Sequence, residues 1–244
     1  MFKKITLSFL FILFVCYLSY SQHMLEIEYR LHSELGKLSK NTPNEMLETF
    51  KEAQKHHSSF TFNLIASIDE ASFFEQKKMN NDVQEFSYGL ARIQMQVDNK
   101  YYYNITDDYV LKGFEAYGMK LITKNHISKM KWTLSNETRV IGKYTCYKAL
   151  LKYKITNIEG EFAKEVIAWY CPEIPFNFGP KGYAGLPGLI LELKDGNVTY
   201  TATQINFTTK NKKIKTVSGT LITEEELKRI GDKVREERSS NSKN

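Results

Sequence analysis

Two cysteines in the second half of the chain are the residues whose spacing points most clearly to a definite chemistry. Cys146 and Cys171 lie in two strand-like runs, residues 144–155 and 162–171, which a short turn connects. If these runs pair as an antiparallel hairpin centred between residues 158 and 159, the two cysteines face each other. Facing β-carbons are close enough for an S–S bond, so we predict a disulfide, with two reduced structural thiols as the alternative.

The same hairpin register also produces a cross-strand pair of opposite charges and one apolar face. It places Lys152 opposite Glu165, which is a favourable cross-strand pair. It gathers a nearly all-apolar set on one face, which we expect to be buried: Tyr147, Ala149, Leu151, Tyr153 and Ile155 against Tyr170, Ala168, Val166, Lys164 and Phe162. No Cys-x-x-Cys pair is present to tune thiolate acidity, so we expect no redox role.

The histidines do not form a recognisable site. They are spread over different segments, at His23, His32, His56, His57 and His126. His56 and His57 are adjacent near the end of a predicted helix, and adjacent helical residues do not share a face. The sequence also lacks a nucleophile elbow, a Gly-rich phosphate loop and an H-E-x-x-H zinc motif. We therefore predict no catalytic residues, no metal site and no cofactor from motifs.

The elements that must position these residues are mainly strands. Alternating or β-rich runs predict strands at residues 25–31, 60–68, 93–97, 100–105, 109–114, 120–123, 189–193 and 198–203. One helix is expected to start at Thr42-Pro43 and to end near His56-His57, and a second to start at the capping box of Thr223 and Glu226. We predict a mainly β (α+β) fold: an antiparallel open barrel, half-barrel or sandwich-like sheet with one N-terminal and one C-terminal helix. The polar segment 69–84 is expected to be a mobile loop.

A loop rich in proline and glycine follows Cys171. Four of the five prolines of the chain lie within residues 172–188, together with four glycines, and this density requires several specific turns. One interpretation is a structural corner in which the apolar side chains fill the core. The other is the mouth of an apolar ligand cavity beside an open sheet, lined by Phe176, Phe178, Tyr183, Leu186 and Pro187.

The same loop contains the residues that resemble a known family. Gly185-Leu186-Pro187-Gly188-Leu189-Ile190 spells GLPGLI, and the chain resembles the GLPGLI family of exported proteins from Bacteroidetes-type bacteria. The resemblance extends over the C-terminal half, through Trp132-Thr133-Leu134, residues 141–149, Ala168-Trp169-Tyr170 and Gly179-Pro180. It implies an exported β-rich protein of a Gram-negative cell. The resemblance implies no particular activity and identifies no catalytic residue.

The N-terminus predicts export. Lys3 and Lys4 precede an apolar run that ends before Ser19, and Ser19-Tyr20-Ser21 is a small-x-small cleavage site. The apolar run is shorter than the roughly 20 residues of a spanning helix. We therefore predict a cleaved signal peptide at 1–21, one β-rich domain at 22–238 and a disordered tail at 239–244, with no transmembrane segment after cleavage. The expected location is the periplasm or the exterior.

Charge does not favour a nucleic-acid partner. Cleavage would remove Lys3 and Lys4 and lower the formal charge from +6 to about +4. The other lysines are scattered through apparent strands, which is typical of a solvated sheet face. A basic cluster at residues 210–215 is interpreted as a sheet edge or hairpin tip, where lysines oppose edge-to-edge pairing.

The sequence predicts function only in outline. The leading hypothesis is a non-enzymatic envelope or secreted protein that binds an apolar ligand, a lipidated partner or an outer-membrane protein on a concave sheet face. The first alternative is a hydrolase whose site is assembled from dispersed residues. The second is a purely structural or adhesive surface protein.

Overall fold

The computed structural model describes residues 24–34, 43–77, 86–157, 160–210 and 212–241. The predicted signal peptide, the helix cap at Thr42 and the tip of the cysteine hairpin lie outside these ranges. The described strands are β1 (Met24–Ser33), β2 (Thr61–Ala66), β3 (Glu70–Glu75), β4 (Lys100–Asn104), β5 (Tyr109–Ala116), β6 (Met119–Asn125), β7 (Trp132–Ile141), β8 (Tyr144–Asn157), β9 (Gly160–Cys171), β10 (Leu189–Asp195), β11 (Val198–Thr208) and β12 (Thr220–Leu221). The described helices are α1 (Asn44–His57), α2 (Phe86–Met95) and α3 (Glu224–Asn241), with short 3₁₀ turns at Ile127–Lys129 and Pro180–Gly182.

All twelve strands belong to one sheet, which confirms the predicted mainly β fold. Their order is β12-β6-β5-β4-β3-β2-β1-β11-β10-β9-β8-β7. Every neighbouring pair is antiparallel except β12 with β6, which is parallel. Alternating burial along strands such as β1 and β2 places one set of side chains on a common buried face, as period-two patterns require.

The buried face is aromatic. Phe62 and Phe73 stack with ring centroids 5.2 Å apart, and Tyr200 meets both rings edge-on. Tyr29 is fully buried next to Phe73, and its hydroxyl donates a hydrogen bond to the carbonyl of Ile190 at 2.6 Å. Large rings therefore fill the middle of the sheet, and the hydroxyl of buried Tyr29 has a hydrogen-bond partner.

The sheet curls around the loop that connects β9 to β10. β4 and β7 are eight strand positions apart, which would separate them by roughly 38 Å in a flat sheet. Yet Tyr103 on β4 donates to the carbonyl of Gly179, and Trp132 on β7 donates to the carbonyl of Ala184. Five residues of chain span at most roughly 17 Å. The two arms of the sheet must therefore bend toward each other, and the buried face is concave.

Two segments differ from the predicted elements. Residues 93–97 were predicted as a strand, and this is wrong, because residues 93–95 complete α2 and residues 96–97 form a turn. Ile93 and Met95 alternate as in a strand, but Tyr88 and Ala91 are buried at helical spacing. The segment 69–84 was predicted as a mobile loop, but its first part is β3, which pairs with β2 and β4. The rest of that segment, from residue 78, lies outside the described ranges.

The basic segment after β11 is not a hairpin tip. Ile214 and Val217 pack on the outer face of the sheet against Tyr102 and Ile122. Lys212 forms an ion pair with Glu26 on β1. The segment crosses the outer face to reach β12, so the prediction of an edge or tip is wrong.

The capping box of α3 is confirmed, with the Glu226 amide donating to Thr223 Oγ1 at 3.1 Å and the Thr223 amide donating to Glu226. The helix continues to Asn241, into the predicted tail.

A buried serine–histidine pair ties the end of β1 to the two N-terminal helices. Ser33 Oγ and His57 Nδ1 are hydrogen-bonded, and His57 Nε2 lies 3.1 Å from Gln94 Oε1 on α2. Ser33 and His57 are only 9% and 6% exposed. Burial lowers the pKa of His57, and this outweighs the opposing effect of the hydrogen bond that His57 Nε2 donates to Gln94 Oε1. His57 is therefore neutral in the folded protein at neutral pH.

Acidification is expected to destabilise the fold through His57. The unfolded chain takes up this proton near pH 6.5, whereas the folded chain takes it up only at a lower pH. The stability that neutral His57 confers is full above pH 6.5 and is lost below it, by at most about 1.4 kcal/mol per pH unit. Urea unfolding at pH 7.5 and 5.5 should show a larger drop for the native sequence than for His57→Gln. Equal drops in the two proteins would contradict this assignment.

Candidate functional site

The loop residues predicted as a ligand mouth lie mostly in the core. Phe176, Phe178 and Leu186 are buried, Tyr183 is half-buried and Pro187 is exposed. The loop approaches the sheet so closely that a β-carbon at Gly179 would lie 2.6 Å from the side chain of Ile190. The centre of the concave face is thus filled by the protein's own loop.

The predicted register of the cysteine hairpin is confirmed. Tyr147 faces Tyr170 and Lys152 faces Glu165, as the sequence indicated. Cys146 and Cys171 are the residues next to the Tyr147–Tyr170 pair on the two strands, and both are buried. Burial raises the pKa of Cys146 to about 12 and also raises the pKa of Cys171. The disulfide stays a prediction, and a count of two free thiols in the denatured, unreduced mature protein would contradict it.

Charged side chains meet at one end of the concave face. Asp195 is the last residue of β10, and its side chain is only 2% exposed. Its carboxylate lies 2.8 Å from Lys164 Nζ on β9 and 2.9 Å from Lys181 Nζ in the loop. Burial alone would raise the pKa of Asp195, but the two ammonium groups outweigh burial and lower it below its ordinary value. Asp195 is therefore ionised, as a buried carboxylate with two cationic partners should be.

Tyrosines surround this carboxylate. Tyr183 donates a hydrogen bond to Asp195 Oδ2 at 3.2 Å, and its hydroxyl is 3.2 Å from that of Tyr153 on β8. Burial, followed by the charge of Asp195, raises the pKa of Tyr183 well above its ordinary value. The Tyr183 hydroxyl therefore stays protonated and remains a donor.

A third lysine reaches the same end of the face from the other arm of the sheet. Lys112 on β5 is directly opposite Tyr101 on β4, and Tyr101 packs against Gly182, the residue after Lys181. No carboxylate among the described residues lies within ion-pair distance of Lys112. Its ammonium lies 5.3 Å from the ring centroid of Phe114. Burial lowers the pKa of Lys112, and the charges of Lys181 and Lys164 lower it further.

Lys112, Lys164, Lys181 and Asp195 are called the lysine cluster below. Three ammonium groups and one carboxylate leave an excess of two positive charges at a partly buried position. Lysines are rarely buried without a matching carboxylate, because the charge loses its hydration. The arrangement is suited to binding an anion, since each paired lysine still has donors to spare.

The backbone at Lys181 supports the same interpretation. Lys181 has φ 58° and ψ 30°, a left-handed conformation that costs a non-glycine residue about 1–2 kcal/mol. From this position the Lys181 ammonium pairs with Asp195. Strain that is retained to hold one side chain in place is common at functional sites.

Sequence reasoning missed this cluster. It interpreted the scattered lysines as a solvated sheet face. One signal was present, because the correct hairpin register placed Lys164 on an otherwise apolar face. A charged residue at a core position needs a partner, and that partner was not identifiable without the fold.

Two other parts of the molecule are weaker candidates for a functional site. Ser33 and His57 form a pair of the kind a hydrolase uses, but both are buried and Gln94 stands where a carboxylate would orient the histidine. A groove of about 380 Å³ lies at the opposite end of the face, lined by Leu134, Ser135, Asn136, Thr145, Tyr147, Tyr170, Pro172 and Glu173. In the described part of the chain, no group of three or more His, Cys, Asp or Glu residues is placed to hold a metal ion.

Comparison with known proteins finds a family model of unknown function and solved structures with a similar fold. A family model described as "Protein of unknown function (Porph_ging)" matches residues 132–192. That segment includes Lys164, Lys181 and the GLPGLI loop, and it is consistent with a family from Bacteroidetes. No curated protein matches the chain.

Two solved structures of PNGF-II are similar to the chain in fold. The structure in space group C2 has 16% sequence identity and a TM-score of 0.52, and the alignment covers 85% of this chain and 32% of that one. The structure in space group P2₁ has 16% identity and a TM-score of 0.49, with 82% and 31% covered. The chain thus spans about a third of the length of PNGF-II. Within the described residues, no helix has the length and hydropathy needed to cross a bilayer.

Proposed function

We propose that the protein is a non-enzymatic, exported binding protein of a Gram-negative envelope that holds an anionic group of its ligand at the lysine cluster. The observation that supports this proposal is the excess of two positive charges around buried Asp195. Carboxylate and phosphate are the ligand groups that charge-assisted hydrogen bonds from ammonium donors recognise best.

The proposed ligand differs from the apolar one expected from the sequence. Buried loop residues such as Phe178 and Leu186 fill the centre of the concave face, where an apolar ligand was expected. The polar end of the face offers three ammonium groups from β5, β9 and the loop. A second candidate function keeps the apolar ligand or lipidated partner and assigns it to the groove beside Tyr147 and Tyr170, whose rings are 6.1 Å apart.

Lys112→Met is the variant that tests the proposal. Calorimetric titration with inorganic phosphate at constant ionic strength should show binding to the native protein. Loss of one charged donor should weaken that binding by about tenfold or more. The unliganded variant should also be more stable, because the lowered pKa of Lys112 means that its charge opposes folding at neutral pH.

The matched control is Lys152→Met. Lys152 lies on the exposed side of the same hairpin region, with a side chain 72% exposed and an ion pair to Glu165 at 3.3 Å. This variant should leave both phosphate binding and stability unchanged. Equal phosphate affinity in the native protein and in Lys112→Met would rule out the lysine cluster as the anion site.

A further inference from the structure

Lys112 differs from the other two lysines of the cluster because no carboxylate of the described residues lies within ion-pair distance of it. Lys164 and Lys181 both pair with Asp195, and this pairing favours their charged forms. Lys112 lies on β5 opposite Tyr101, with its ammonium near the Phe114 ring, and Gly182, the residue after Lys181, lies against Tyr101 and Val110 of the same two strands. A lysine that is desolvated and lies near other cations loses its proton more readily, and its neutral amine is a nucleophile.

We propose that Lys112 captures the carbonyl group of an anionic aldehyde or keto acid as an imine, while Lys164 and Lys181 hold the carboxylate of that ligand. This inference rests on the proposed function, because it uses the same site. It adds the chemical class of the ligand, which must carry a carbonyl carbon close to its anionic group. The association is reversible and covalent.

The capture step balances without an added oxidant or reductant. The lone pair of the neutral Lys112 nitrogen forms a bond to the carbonyl carbon, and the electron pair of the C=O π bond moves to oxygen, which takes up a proton. The resulting carbinolamine loses its hydroxyl group as water when the nitrogen forms the C=N bond and gives up its remaining hydrogen. One amine and one carbonyl thus give one imine and one water.

The proximity of the two anchoring lysines explains why the ligand should carry an anion. Each lysine has three donors, so Lys164 and Lys181 can bind a carboxylate while they remain paired with Asp195. Binding the anion also offsets the excess positive charge. A neutral aldehyde would gain neither effect.

Trapping with glyoxylate and sodium cyanoborohydride tests the inference. The full mature protein is incubated with both, and peptide mass spectrometry locates the carboxymethyl group that reduction leaves on each modified lysine. We expect the initial rate at Lys112 to exceed that at exposed Lys152 by more than about tenfold at pH 7, because Lys164 and Lys181 hold the carboxylate of glyoxylate beside the Lys112 amine, and the lowered pKa of Lys112 adds to this preference. Propanal, which is neutral, should show much less preference for Lys112.

Lys112→Arg separates this inference from the proposed function. The guanidinium keeps the positive charge, so phosphate should still bind, but it cannot form the imine and trapping at this position should vanish. If the native protein binds phosphate yet glyoxylate modifies Lys112 no faster than Lys152, the imine is wrong and the anion site stands. If the native protein neither binds phosphate nor traps glyoxylate at Lys112, both proposals fail. Equal preference for Lys112 with propanal and glyoxylate would overturn the role of Lys164 and Lys181.

Discussion

Gly188→Ala is expected to prevent stable folding. Gly188 has φ +145°, and a β-carbon there would lie 2.2 Å from the carbonyl oxygen of Cys171 and 2.6 Å from its carbonyl carbon. Both contacts are with backbone atoms of the neighbouring strand, which cannot rotate away as a side chain can. Relief would require the GLPGLI loop to leave the concave face. We expect a loss of more than about 4 kcal/mol, which is a large part of the usual 5–15 kcal/mol of folding stability.

Gly142→Ala provides the matched control. Gly142 also has a positive φ, +61°, but no atom of the described residues lies within 4 Å of a β-carbon placed there. This variant isolates the backbone cost, which is about 1–2 kcal/mol. Thermal unfolding followed by circular dichroism should show a moderate loss for Gly142→Ala and no cooperative transition, or a much lower Tm, for Gly188→Ala. Similar Tm values for the two variants would show that the loop is not held against Cys171 as described.

Asp195→Asn should produce the second largest effect. The substitution leaves Lys164 and Lys181 partly buried without their carboxylate, beside Lys112. Removing one partner of a buried ion pair typically costs about 3–5 kcal/mol. The loss should be smaller in phosphate than in its absence, because a bound anion would replace the missing charge. Urea unfolding with and without phosphate measures both effects.

The pH dependence of this variant follows from the lowered pKa of Asp195. A carboxyl whose folded pKa is below its unfolded value of about 3.9 confers stability above that value, and the stability is lost as pH falls through the folded pKa. Asp195→Asn should therefore lack this part of the acid destabilisation. The control is Asp232→Asn on α3, where the Asp232–Arg235 pair is exposed and its loss should cost less than about 1 kcal/mol. An Asp195→Asn protein as stable as this control would contradict the assigned role of the carboxylate.

Local patterns in the sequence were enough to predict the strands and the cysteine hairpin. Alternation from Leu25 to Leu31 identified a strand with one buried face, and three independent constraints selected one register for the hairpin. These features depend on residues close in sequence. The same local patterns gave the wrong element at α2, where Ile93 and Met95 alternate as in a strand but Tyr88 and Ala91 define a buried helical face.

The lysine cluster could not be predicted in the same way because it depends on the curl of the sheet. Lys112 and Lys164 lie on strands that are seven positions apart in the sheet, and only bending around the loop makes them neighbours. Lys181 joins them through a left-handed backbone conformation that its sequence does not favour. The position of the site is thus a property of the whole fold and not of any motif.

Anomalous diffraction from crystals soaked in sodium bromide would test the anion site most directly. We predict a bromide ion in contact with the ammonium group of Lys112 and with that of Lys164 or Lys181, and its loss in Lys112→Met crystals. Bromide bound elsewhere on the surface, with none at the lysine cluster, would contradict the central claim.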